Sequence, residues 1–252
     1  MTRHPGLLAA ITRHISSVLG SVTELGEAMT AVAQAAGPRP LRRADLAELR
    51  PLVAEVLRRH DGLIAGTGVV LAPGVLADAS RWIEWWWADG GGGISQLDVD
   101  LDPGSAEFYD YTTTEWYREP ARAGRQWVTG PYVDYICTHK YTLTLSAPVL
   151  HAGGFLGVAG ADILADRVER LVLPGLARLG RPAVLTSGAG RVIASNSASI
   201  PPGVVLARQE GSAGLRRVAG PGGGVADPGG EGAVLPWVLL AAPVRDETLD
   251  YG

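Results

Sequence analysis

The sequence predicts an α+β fold: one long N-terminal helix, then two modules, each an antiparallel sheet flanked by helices. Three observations lead to this class. Apolar residues first recur with a helical period, short runs with period-two alternation follow, and the same strand texture then returns on a smaller scale. We expect three segments with these bounds: the helix in residues 1–40, the larger module in 41–165 and the smaller module in 166–252.

Two helices open the chain. Apolar residues keep a helical spacing from Leu7 to Val32, which is about seven turns, and Gly37-Pro38 ends this helix. A second helical pattern runs from Leu46 to Leu57 and closes at His60-Asp61-Gly62. The first helix therefore carries a long apolar stripe on one face.

The two sheets are predicted from short β-type runs that Gly, Pro and Asp separate. In the larger module these runs are GTGVVLAP, ISQLDVDLD, WVTGPYVDYI, KYTLTLSAPVL and GFLGVAGADI. The link His151-Ala152-Gly153 predicts that the last two form a hairpin, and a helix is expected to start near Asp162. The smaller module is predicted from PAVLTS, RVIASN, VVLARQ, LRRVAG and AVLPWVLLAAPV, with a glycine-rich hairpin tip between Gly211 and Gly232.

Charge and composition exclude several classes of partner. The formal net charge of −4 and the scattered arginines offer no basic surface for a phosphate backbone, so no nucleic acid is expected. No apolar run approaches the ~20 residues of a membrane helix, and Arg13 and His14 interrupt the N-terminus before a signal peptide could form. A single cysteine, Cys137, allows no disulfide framework. We therefore expect a cytoplasmic protein with no membrane partner.

Motifs for catalysis, metals and cofactors are weak. The sequence holds no GxGxxG or GxxxxGK pattern. Cys137 and His139 lie two apart on a predicted strand, which is not the geometry of an activated nucleophile, and His139 with His151 lacks a spaced third metal ligand. We therefore predict that the protein is not an enzyme and that it binds neither a metal nor a cofactor.

Aromatic and acidic residues cluster in the larger module. Tyr132 and Asp134 share one face of a predicted strand, so a carboxylate points where Tyr132 points. Asp162 lies where a strand is expected to turn into a helix, and it is either the N-cap of that helix or a ligand-binding residue. If both aspartates face one cavity, their repulsion raises one pKa until a cation arrives. The predicted ligand is then a cation.

The order of motifs from Phe108 to Ile163 resembles the Cache family of sensor domains. The segment FYDYTTTEWYREPARAGRQWVTGPYVDY holds a W-Y pair and a P-Y-x-D strand, and YTLTLSAPVLHAGGFLGVAGADI holds a strand pair that ends in G-V-x-G-x-D. More loosely, the whole chain is similar to the double-Cache arrangement of a long helix with two PAS-like modules. This resemblance implies a ligand-binding sensor.

In double-Cache members that sense amino acids, aromatic residues and two aspartates hold the ammonium group, and an arginine two places before the W holds the carboxylate. Carried over by this resemblance, the ammonium-binding positions are Trp116, Tyr132, Asp134 and Asp162. Thr114 stands at the arginine position. The resemblance also places Trp87 as an upstream aromatic of the site, and Tyr111, one turn before Thr114, is expected to close its other end.

The missing arginine changes the expected ligand. A guanidinium holds a carboxylate through two hydrogen bonds, whereas the Thr114 hydroxyl offers one neutral donor. An unpaired carboxylate in a partly dry pocket costs on the order of several kcal/mol. We therefore predict a small amine without a carboxylate, such as ethanolamine, a choline-like amine, a short diamine or a monoamine, as in the amine-recognising subgroup of these sensors.

Three alternatives stay open. The chain is an amino-acid-binding Cache sensor with an altered carboxylate site, an enzyme that uses the two aspartates as acid and base on a small amine, or a scaffold without a ligand. Cache sensors usually sit between membrane helices and feed a signalling domain, and the sequence shows neither. We therefore expect a homodimer through the N-terminal helix, and a separate regulator or transporter that reads the bound state.

Overall fold

The computed structural model describes residues 5–88, 93–136, 140–206, 214–219 and 237–243. Cys137 and His139 lie outside these ranges, and so does the glycine-rich run 220–232 of the predicted hairpin tip. The chain divides into two compact units: residues 14–165 form one, and residues 1–13 with 166–252 form the other. None of the helices in the described ranges combines the length and the apolar character that a membrane span requires.

Three helical elements begin the chain, a six-stranded sheet follows, and a further α-helix lies between the third and fourth strands. The helical elements are α1 (Pro5–Ala36), a 3₁₀ helix (Arg43–Leu49), α2 (Arg50–Arg59) and α3 (Glu115–Ala123). The strands are β1 (Ile64–Leu71), β2 (Trp82–Ala88), β3 (Ile94–Gln96), β4 (Trp127–Val133), β5 (Tyr141–His151) and β6 (Gly154–Leu164). Their order in the sheet is β3-β2-β1-β6-β5-β4, and every neighbouring pair is antiparallel.

The apolar stripe of α1 is buried within the 14–165 unit. Ile15, Val22 and Met29 have no exposed surface. A Cβ placed on Gly26 would lie 3.6 Å from Val149 and 3.7 Å from Ala159, so the helix packs closely on β5 and β6. The part of the stripe from Ile15 to Met29 is therefore buried within the chain itself, and the predicted homodimer through this helix stays a prediction.

The hairpin of β5 and β6 forms as the sequence predicts. Its two-residue loop, Ala152 and Gly153, has φ values of 49° and 77°, and positive φ at both loop positions is the requirement of the hairpin turn that matches strand twist. β6 continues to Leu164, and the next helix begins only at Ala165. Asp162 therefore lies inside a strand, and its predicted role as a helix N-cap is wrong.

β2 is a strand that the sequence analysis missed, because WIEWWWA shows no alternation of apolar and polar residues. On one face of the sheet, the Glu84 carboxylate of β2 accepts hydrogen bonds from the indole N–H groups of Trp82 and Trp86, both at 2.9 Å. The guanidinium groups of Arg43 and Arg50 lie over these two rings, at 5.1 and 4.7 Å from the ring centroids. The buried Glu84 is thus paired, which fixes the face that each tryptophan occupies.

The second unit has a smaller antiparallel sheet. After α4 (Ala165–Ala177) come β7 (Ala183–Thr186), β8 (Val192–Ser195), β9 (Arg216–Ala219) and β10 (Val238–Ala241). Their order is β8-β7-β10-β9. Val184, Val192, Ile200 and Leu215 form its buried core. The run VVLARQ, which the sequence predicts as a strand, contributes among its described residues only an isolated bridge between Arg191 and Val205.

Candidate functional site

The candidate site is a cavity on one face of the six-stranded sheet, with about 370 Å³ of space when the open solvent at its mouth is included. The cavity combines aromatic and aliphatic walls with two carboxylates. It is lined by Val70, Ile83, Trp85, Leu97, Tyr109, Trp116, Tyr132, Asp134, Thr144 and Asp162.

Glycines on the central strands leave room for the tryptophan at the base of the cavity. A Cβ on Gly66 would come within 2.7 Å of the Trp85 Nε1 atom, and one on Gly160 would come within 3.1 Å of the Trp85 ring. The Trp85 ring therefore lies closely over β1 and β6. A larger residue at either position would push the ring away from the sheet.

The two carboxylates come from separate strands. Asp162 is on β6, directly opposite Thr144 on β5. Asp134 directly follows β4, and its backbone N–H donates to the Lys140 carbonyl at 3.0 Å. Both aspartates are only 7% exposed. The sheet register thus brings two distant acidic residues into one cavity.

A chain of hydrogen bonds ends on Asp162. The Thr144 hydroxyl donates to Asp162 Oδ1 at 2.6 Å, and the Tyr132 hydroxyl lies 2.7 Å from Thr144 Oγ1. Because a hydroxyl has one proton, a Thr144 that donates to Asp162 must accept its second hydrogen bond from Tyr132. Tyr132 therefore donates its hydroxyl proton to Thr144, and it is also one of the residues that line the cavity.

Burial governs the ionisation of this chain. Burial is the main cause that raises the pKa of Asp162 from 3.8 to about 7; the Thr144 hydrogen bond opposes this rise, and the charge of the nearby Asp134 adds to it. Burial and the charge of Asp162 also raise the pKa of the Tyr132 phenol. Near neutral pH Asp162 is therefore poised between its neutral and ionised forms, so a cation in the cavity would favour ionisation.

Of the seven predicted site residues, the structure brings four together in this cavity: Trp116, Tyr132, Asp134 and Asp162. Trp116 reaches it from the first turn of α3, where its ring packs edge-on against Tyr117 at 6.1 Å. The other three predicted residues are not among the lining residues in the described part of the chain.

Trp87, Tyr111 and Thr114 have other contacts in the structure. The ring centroid of Trp87 lies 6.4 Å from that of Trp85, which occupies the expected place in the lining. Tyr111 is fully buried, and its hydroxyl donates to the Leu71 carbonyl at 2.7 Å. The Thr114 hydroxyl donates to the Tyr111 carbonyl at 2.7 Å, so it supports the loop instead of facing a ligand.

Six lining residues were missed, and three of them are aromatic or polar: Trp85, Tyr109 and Thr144. Trp85 shares a strand face with Trp87, so period two alone could not separate them. Tyr109 is held by its backbone N–H, which donates to the Asp100 carbonyl at 2.8 Å in a loop whose path the sequence did not show. Thr144 was identifiable only from the register that sets it opposite Asp162.

No basic side chain lines the cavity within the described residues. Arg81 is close to the neighbouring aromatic residues, with its guanidinium carbon 5.7 Å from the Tyr111 ring centroid. It donates to the Asp110 carboxylate at 2.9 Å and stacks over Phe108, so its charge is already engaged. The lining therefore offers acceptors for a cation and no counter-ion for a carboxylate.

Comparison with known proteins gives the same fold. Residues 49–170 match the family model of the methyl-accepting chemotaxis protein-like, first PDC sensor domain. The ligand-binding domain of the Pseudomonas fluorescens chemoreceptor CtaA, in complex with L-valine, is 14% identical with a TM-score of 0.56, and the match covers 97% of this chain and 96% of that one. The ligand-binding domain of the Pseudomonas aeruginosa PAO1 amino acid chemoreceptor PctB, in complex with L-Arg, is 17% identical with a TM-score of 0.56, covering 96% and 92%.

A third similar structure is the extracellular domain of the putative histidine kinase mmHK1S-Z3. It is 16% identical with a TM-score of 0.53, and the match covers 73% of this chain and 64% of that domain. These proteins are sensors, and their matched parts are ligand-binding or extracellular domains. The chain thus has the Cache-type fold of chemoreceptor ligand-binding domains, and its residues 49–170 match the PDC sensor-domain model.

Proposed function

We propose that the 14–165 unit is a sensor module that binds a small organic amine without a carboxylate group. One observation carries this proposal: two buried aspartates line the cavity, and no basic side chain lines it with them. An ammonium group in the cavity places a positive charge beside both carboxylates. The PDC sensor-domain match supports a binding role in place of catalysis.

Electrostatics favours an ammonium group over a neutral ligand. Burial and Asp134 hold the pKa of Asp162 near 7, and a cation beside both carboxylates lowers it again. The Trp116 and Tyr132 rings, which also line the cavity, contribute cation–π attraction of about 0.5–2 kcal/mol each. The charge and the aromatic walls therefore act on the same group of the ligand.

The same electrostatics disfavours an α-carboxylate. A ligand carboxylate in this cavity would approach two acidic residues, and the hydroxyl of Thr114 and the guanidinium of Arg81 are both engaged elsewhere. The CtaA and PctB domains bind amino acids. An amino acid is therefore the alternative ligand that an experiment must separate from an amine.

L-valine and isobutylamine form a matched pair, because they differ only by the carboxylate. We expect isobutylamine to bind the wild-type protein in isothermal titration calorimetry and L-valine to show no heat at the same concentrations. Asp162→Asn should abolish the amine signal. Asp166→Asn is the control, because the same change is made at an exposed side chain that pairs with Arg170. Tighter binding of L-valine than of isobutylamine would refute the amine proposal.

The remaining parts of the proposal come from the sequence. They are a cytoplasmic location and a separate regulator or transporter that reads the occupied state. Fractionation of host cells tests the location, and affinity capture with and without amine tests the partner. A protein found only outside the cytoplasm, or the same captured proteins in both conditions, would contradict these parts.

A further inference from the structure

One buried donor in the cavity has no acceptor. The indole N–H of Trp85 makes no hydrogen bond within the described residues, although Trp85 is only 5% exposed and lines the cavity. The indole groups of Trp82 and Trp86 show the contrast, because both donate to Glu84 at 2.9 Å. A buried donor left unpaired is unfavourable, so an acceptor on a bound molecule is the natural partner of Trp85.

The position of this donor relates it to Asp162. Trp85 Nε1 lies 2.7 Å from the place of a Cβ on Gly66, and Gly66 is the residue of β1 that pairs directly with Asp162 of β6. Paired Cα atoms of antiparallel strands are about 4.5–5.5 Å apart. The Trp85 donor therefore lies over the residue that pairs with Asp162, on the sheet face that carries the Asp162 side chain.

We propose that the indole N–H of Trp85 donates a hydrogen bond to a neutral oxygen on the ligand. The ligand is then a vicinal amino alcohol or the ether of a vicinal amino alcohol. This rests on the proposed function, in which the ammonium group meets Asp162. The oxygen then lies two carbons away and accepts the hydrogen bond from Trp85 Nε1.

Other amines fit the Trp85 indole N–H and the Asp162 carboxylate less well. A second ammonium, as in a diamine, is a donor without acceptor capacity and would face the indole N–H. An alkylamine leaves Trp85 unpaired. A carboxylate would accept from Trp85 but would also lie beside Asp162 without a basic residue in the lining. A neutral hydroxyl or ether oxygen satisfies the donor without adding charge.

Ethanolamine and propylamine test this inference, because they differ only by a hydroxyl in place of a methyl group. In calorimetry with the wild-type protein we expect ethanolamine to bind about tenfold more tightly, the effect of one hydrogen bond to a buried donor. In Trp85→Phe, which keeps an aromatic ring without the N–H, the two affinities should become equal. Trp116→Phe is the matched control and should weaken both amines while keeping their ratio, since Trp116 is assigned to the ammonium group.

Equal affinities in the wild type, or a ratio that survives Trp85→Phe, would overturn the role of Trp85 and leave the amine site intact. The pair 2-amino-1-phenylethanol and 2-phenylethylamine repeats the comparison with larger ligands. Both wild-type comparisons decide the inference even if the Trp85 variant does not fold. If the wild type binds no member of either pair, the proposed function fails and the inference fails with it.

Discussion

Asp162→Asn should stabilise the ligand-free protein at alkaline pH while it removes amine binding. The asparagine keeps an oxygen that can accept from Thr144, the donor to Asp162 Oδ1 in the wild type, and it is nearly the same size as aspartate. The substitution therefore removes mainly a titratable charge from a buried position. Most single substitutions destabilise a protein, which makes this outcome informative.

The magnitude follows from the pKa of Asp162. Burial raises it from 3.8 to about 7, so the neutral form is favoured in the folded protein. The contribution of this group to stability is fully present below pH 3.8 and is lost as the pH rises through 7. Since one pKa unit corresponds to about 1.4 kcal/mol, the wild type loses roughly 4 kcal/mol of unfolding free energy over this window. The Asp162→Asn variant keeps this unfolding free energy.

Urea unfolding of both proteins at several pH values between 4 and 8 measures this difference. Tryptophan fluorescence is a suitable probe because Trp237 alone among the tryptophans lies outside the 14–165 unit. With an m value of about 2 kcal/mol per M, the variant's midpoint should exceed that of the wild type by about 2 M at pH 8 and by little at pH 4. A difference that stays constant with pH, or a variant less stable at pH 8, would show that the Asp162 charge is compensated in the free protein.

Three further predictions concern binding. Because an ammonium group lowers the pKa of Asp162, amine affinity should fall as the pH drops below about 7 and binding there should release a proton, which calorimetry in buffers of different ionisation enthalpy detects. Thr144→Val removes the hydrogen bond that lowers the Asp162 pKa, so the pH profile of amine binding should shift upward; an unchanged profile would contradict the assigned bond. Gly66→Ala places a Cβ 2.7 Å from Trp85 Nε1 and should weaken amine binding about tenfold or more. Gly20→Ala is the control, because the space around its Cβ is open and amine binding should not change. Equal affinities in the two variants would contradict the close packing of Trp85.

The acidic residues of the site could be predicted from the sequence, and Trp85 could not. Asp134 follows Tyr132 by two residues, so strand periodicity alone puts both on one face. In the run WIEWWWA, periodicity also puts Trp85 and Trp87 on one face, but their different depths depend on the strand that lies beneath them. Gly66 provides space for both rings, and only the pairing of β1 with β2 reveals this.

The partner of Asp162 depends on an irregularity that the sequence does not show. Counting back from the hairpin pair His151 and Gly154 without interruption would set Asp162 opposite Leu143. A register shift between Val149 and Leu150 moves the pairing by one residue, so that Asp162 faces Thr144. One irregular position therefore decides whether the carboxylate meets a hydroxyl or an aliphatic side chain.

The instability of the ionised Asp162 also bears on ligand affinity. In the free protein, ionisation of this buried carboxyl is opposed by burial and by the charge of Asp134. An ammonium group relieves both effects at once, so part of the binding free energy comes from removing an unfavourable state that a neutral ligand leaves in place. Under the proposed function, selectivity for a cation therefore begins with the electrostatics of the unoccupied cavity. For this reason Asp162→Asn should separate two properties that usually change together, with a more stable protein and a lost ligand.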